Sequence, residues 1–110
     1  MPITRDQSEQ AEQLFGVRAK NGTFIYESEL HAPADTGQKR TCSVCSNGPA
    51  KRDGLMRLMN GERGPAVWVC DNIYDDKCGF CFPVGLSEEM IEFFVKWRIQ
   101  YLLEVNTTLN

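Results

Sequence analysis

The sequence predicts a small α+β fold, and three observations carry that reading. Asn21-Gly22 lies between two short stretches rich in strand formers, Cys-x-x-Cys pairs at 42–45 and 78–81 bracket two further extended stretches, and residues 86–106 repeat apolar and charged groups at helical spacing. A chain of 110 residues is one domain's worth, and its apolar core is thin enough to need support beyond burial.

The elements follow in order. Residues 1–38 form an N-terminal arm and hairpin. "TRDQSEQAEQLF" holds good helix formers but few apolar positions, so it reads as a short helix or an arm. Val17–Lys20 and Thr23–Glu27 flank Asn21-Gly22, a pair suited to the positive backbone angles of a tight hairpin turn, with Phe24 and Tyr26 sharing one face. "HAPADTGQKR", with Pro33, Gly37 and small polar residues, reads as a linker to the first cysteine pair.

Residues 39–84 hold the second hairpin. Strands near 54–59 and 66–70 are joined across Asn60-Gly61 and Gly64-Pro65, which brings the loops "CSVCSNG" and "DNIYDDKCGFC" together. Ser87 caps the last element, and Glu88 and Glu89 complement the exposed amides of its first turn. Met90, Ile91, Phe94, Val95, Trp97, Tyr101, Leu102 and Val105 make one broad apolar side. Glu92, Lys96 and Gln100 recur on the other. That apolar area needs a cover, either the N-terminal hairpin or a partner, a homodimer through the C-terminal helix included.

The five cysteines set the chemistry. No basic, apolar and small-residue leader is visible, and Glu92, Lys96, Arg98, Gln100 and Glu104 interrupt the most apolar stretch, so the expected setting is cytoplasmic or otherwise intracellular, with no membrane partner. In a reducing compartment, CxxC pairs favour metal over disulfides. One structural Zn²⁺ fits best, since it takes four thiolates in a closed tetrahedron; an iron–sulfur or rubredoxin-like iron centre would use similar ligands. Two ligand sets are open. Two CxxC loops would use Cys42, Cys45, Cys78 and Cys81; alternatively the strand "AVWV" delivers Cys70, giving Cys42, Cys45, Cys70 and Cys78. His31 is a further donor, in a polar stretch that suits a surface histidine. Lys39, Arg40, Lys51, Arg52 and Lys77 are near enough in sequence to offset the cluster's negative charge.

The fold is therefore a zinc-ribbon β-hairpin with an additional N-terminal β-hairpin and a C-terminal amphipathic helix. Cys42-Ser43-Val44-Cys45, "RLMNGERGP", Trp68 before Cys70, and Asp71-Asn72 leading to Cys78 resemble the four-cysteine zinc ribbons at the C-terminal ends of type I DNA topoisomerases, over residues 40–84. The resemblance implies the set with Cys70 and a ligand of single-stranded DNA. It does not carry strand passage with it, and the longer last loop and Cys81 depart from the pattern.

Net charge is −3 overall, but residues 39–63 carry two acids against six bases. Lys39, Arg40, Lys51, Arg52, Arg57 and Arg63 are thus candidates for phosphate contacts, with Trp68 or Tyr74 stacking on an unpaired base. The acidic total and the loop Asp71–Asp76 oppose that reading. The rival is a protein-binding module, an adaptor, inhibitor or transcription-associated factor, engaging a nucleic-acid-processing machine. Motifs for hydrolase, nucleotide-binding or zinc-protease chemistry are absent from the sequence, which predicts a non-catalytic protein. Asp76 with Lys77 is the one conceivable nuclease pair, and acids in an Asn/Asp-rich turn are usually loop formers.

Overall fold

A computed structural model describes residues 9, 13, 18–25, 34–60 and 66–109. The expected N-terminal helix lies largely outside these residues; Tyr26, His31, Arg63 and the 61–65 turn lie outside them entirely.

The N-terminal hairpin forms as read. β1 (Arg18–Lys20) pairs antiparallel with β2 (Thr23–Ile25), placing Ala19 opposite Phe24. Asn21 and Gly22, at φ 54° and 79°, supply the two positive angles of the turn.

The remaining strands build one antiparallel sheet in the order β3-β4-β5-β6, from β3 (Ala34–Thr41), β4 (Leu55–Asn60), β5 (Val67–Cys70) and β6 (Cys81–Pro83). β4 and β5 are the two ribbon strands the sequence announces. β3 corrects the linker reading of 31–40 from Ala34 onward. It is an exposed edge strand, so it needs no apolar alternation: Asp35 to Lys39 all face solvent, and its ladder to β4 breaks between Asp35 and Lys39. A kinked edge carrying a lysine also discourages pairing with another chain.

Among the described residues after β3 lie two helices. α1 (Ser43–Asn47) is one short turn in the stretch read as a tight loop, burying Val44 and Cys45. α2 (Glu88–Leu109) starts where expected, the Ser87 hydroxyl accepting from the Met90 amide at 3.2 Å, and runs past 106. Ile91, Phe94 and Leu102 are its buried residues, while Glu92, Lys96 and Gln100 are exposed, with a 3.1 Å Lys96–Glu92 ion pair.

The N-terminal hairpin provides cover for α2. Phe24 packs on Phe94 with ring centroids 4.3 Å apart, a tilted aromatic pair at the centre of the core. Gly22 lies directly on the helix backbone. A β-carbon there would sit 2.4 Å from the Arg98 Cα, so this position needs glycine for space as well as for its angles. Phe80 and Phe82, the latter in β6, pack at 5.4 Å in the same buried cluster.

Candidate metal centre

Topology assembles the cysteines. β3 and β5 run the same way in an antiparallel sheet, so the connections leaving them, 42–54 and 71–80, emerge at the same end. Cys42 and Cys45 sit in the first connection, Cys70 closes β5 and Cys78 lies in the second. All four are fully buried, and their Sγ atoms lie within 4.8 Å of one another. Cys42 to Cys78 is 3.7 Å and Cys45 to Cys70 is 3.6 Å, with no disulfide formed. A tetrahedron with metal–sulfur bonds of ~2.3 Å has edges of ~3.8 Å.

Main-chain and side-chain amides point at the sulfurs. The Asn72 amide donates to Cys70 at 3.4 Å and its side-chain NH₂ to Cys45 at 3.5 Å, while the backbone amides of Cys45 and Phe80 face Cys42 and Cys78. Gly54 is what lets the first connection close. Its carbonyl takes the Cys42 amide at 2.9 Å, and a β-carbon on it would lie 2.5 Å from the Cys45 sulfur.

Charge balance also fits a cation. Four touching thiols cannot all ionise unaided: the neighbouring Cys42 and Cys78 thiols lower Cys70, while Cys70 raises Cys42 and Cys42 raises Cys78. Arg52 reaches the cluster from one side. Its Nη1 pairs with Asp75 at 3.0 Å, and its buried Nε and Nη2 have no hydrogen-bond partner; Asp75 first, then Cys45, favour its charged form. Buried donors left over beside sulfur are what a thiolate-rich centre would satisfy. The residues present therefore fit a four-thiolate metal site.

Cys81 stands apart from that cluster. Register pairs it with Val69, so it shares the Val69 face, and alternation turns neighbouring Cys70 the other way. Its thiol donates to the Phe24 carbonyl, its amide donates to the Thr23 hydroxyl at 2.8 Å, and that hydroxyl donates back to the Cys81 carbonyl at 2.9 Å. Burial pushes this thiol up to about 11. Its place is in the joint between β2 and β6.

No protein family, curated protein or solved structure is detectably similar to this chain.

The expected phosphate-binding set is dispersed in its engagements. Arg57 is held by Asp71 at 2.9 Å and Asp35 at 3.2 Å, and Arg52 by Asp75. Arg40 lies over the rings of Phe82 and Trp68, at 5.2 and 5.6 Å, and approaches Glu88 at 3.8 Å. Trp68 is half-buried beneath it, whereas Lys39 and Lys51 are exposed and Tyr74 is 89% exposed. Arg98 escaped the sequence reading, where it served only to break an apolar stretch. It proves to be half-buried against Cys78, donating from Nε to that residue's carbonyl at 2.6 Å. Its spacing places it on the apolar side of α2, and a lone basic residue there is the signal that could have found it.

Proposed function

We propose that the protein is a non-catalytic binding module built around one structural zinc ion held by Cys42, Cys45, Cys70 and Cys78. The observation that supports this most is the closed, buried arrangement of the four sulfurs, which leaves no coordination position for water or substrate. Zinc supplies folding free energy and stiffens two connections into one platform. Five cysteines without a disulfide suit an intracellular, reducing setting.

The pairing of its bases favours a protein ligand, from a nucleic-acid-processing machine or as a second copy through α2. Arg52 and Arg57 already face carboxylates, and Arg40 is stacked on aromatic rings. A groove of about 610 Å³ between α1 and α2 offers Ile91, Val95 and Ile99 rimmed by Arg40, Glu88 and Lys96. Among the described residues no helix is long and apolar enough to cross a membrane.

A second reading, single-stranded DNA or RNA, has its own support. Tyr74 stands exposed at a cleft of about 260 Å³ lined by Arg57, Met59, Val69 and Ile73, where an unpaired base could stack, and the topoisomerase-like cysteine pattern points the same way. Binding of the zinc-loaded protein to a short single-stranded oligonucleotide, titrated with salt, decides between them. The protein-ligand reading predicts no micromolar affinity. Micromolar binding with a steep salt slope, lost in Tyr74→Ala, would establish the nucleic-acid reading.

A further inference from the structure

We infer that Arg98 is the positioning residue that couples metal occupancy to docking of the N-terminal hairpin on α2. This rests on the zinc reading and adds a mechanism to it.

Arg98 is the point at which three elements meet. From α2, its Nε holds the carbonyl of Cys78 at 2.6 Å and its Nη1 holds the carbonyl of Asn21, in the hairpin turn, at 3.0 Å. The guanidinium lies against the Tyr101 ring at 5.2 Å, and Gly79 leaves it room, since a β-carbon there would lie 2.6 Å from Nη2. Gly22 rests on the Arg98 backbone itself. One planar cation thus joins a ligand residue of the metal centre to the hairpin and the helix. Its fork of fixed donors can span two carbonyls in a way a lysine ammonium cannot reproduce.

The physical consequence runs in both directions. When Cys78 is fixed by metal, its carbonyl stays where Nε can reach it, and a partly buried guanidinium gains a nearby negative centre that offsets the cost of taking its charge out of water. With Arg98 so held, Nη1 fixes Asn21 and hence the turn that carries Phe24 to Phe94. Release of the metal frees the Cys78 connection and removes both supports. By linkage, a docked hairpin must strengthen metal binding by the same factor.

The test uses the full chain loaded with zinc, with zinc affinity read by chelator competition and hairpin docking by hydrogen exchange of amides 18–25 at saturating zinc. Arg98→Met is expected to weaken zinc about 10-fold, and to speed hairpin exchange about 10-fold even with the site full. Arg98→Lys should recover zinc affinity only in part while leaving the hairpin fast, because charge returns without the two-carbonyl bridge and the undocked hairpin no longer supports the metal. Arg52→Met, which removes a cation beside Cys45 that pairs with Asp75, should weaken zinc and leave the hairpin protected. The coupling is overturned by wild-type hairpin protection in both Arg98 variants, or by Arg52→Met loosening the hairpin as much as Arg98→Met. Should Arg98→Met not fold, Arg98→Lys alone decides: a fast hairpin supports the coupling and a wild-type one refutes it. A wild-type chain that takes up no zinc would instead sink the zinc reading, and the coupling with it.

Discussion

At the scale of single residues, the two cysteines that distinguish the ligand sets do different work. Cys70 points into the sulfur cluster and Cys81 into the joint between hairpin and sheet. Cys70→Ser is expected to lose zinc, whereas Cys81→Ala should keep one zinc per chain and cost about 2 kcal/mol of stability for its small cavity and lost contact. Metal content by mass spectrometry beside a denaturant titration checks both; equal zinc retention would contradict the assignment. Gly54→Ala carries a comparable prediction without altering a ligand. The new methyl group meets the Cys45 sulfur, so zinc affinity should fall on the order of 10- to 100-fold in chelator competition. Cys42, Cys45 and Cys78 were legible in the sequence from spacing alone. Spacing leaves Cys70 and Cys81 open, because the choice turns on strand register, which spacing does not encode; the topoisomerase-like pattern is what pointed to Cys70, and Cys70 joins the cluster.

At the scale of elements, strong local signals carried through and weak ones did not. Asn21-Gly22 marked its hairpin and the Ser87 cap marked α2, since each is a chemical requirement met by a few residue types. β3 was hidden because an edge strand facing solvent can be entirely polar; its identity comes from β4, which offers it a ladder. α1 was hidden because five residues carry too little periodicity to recognise. The hairpin's docking on α2 gives the test at this scale. Gly22→Ala adds a methyl group at a positive φ and against the Arg98 backbone, so the zinc-loaded variant should lose about 1–3 kcal/mol or more. Unfolding by denaturant should show it, with faster exchange at 18–25, and unchanged stability would contradict the close approach.

At the scale of the whole molecule, the sulfur cluster ties the sheet's two connections together, while Arg98 and Cys81 tie the hairpin to that knot. Acid should undo the assembly in a definite order. The carboxyls of Asp35 and Asp75 lie below their usual range, held first by the amides of Gly37 and Lys77 and then by Arg57 and Arg52. A carboxyl lowered in the folded state contributes its full stability above its unfolded pKa and loses it progressively as pH falls from there through the depressed value. Thiolate ligands take up protons earlier, and several at once, so zinc should leave steeply above about pH 4, before those ion pairs fail. Metal release followed by a zinc-responsive dye against pH checks this order, and retention well below that range would reverse it.

The most direct measurement is native mass spectrometry of the purified chain, paired with near-ultraviolet circular dichroism before and after a strong chelator. One zinc per chain is expected, with the aromatic signal of the Phe24, Phe94 and Trp97 core collapsing when the metal is withdrawn. A chain that holds no stoichiometric metal and keeps that signal unchanged would contradict the account.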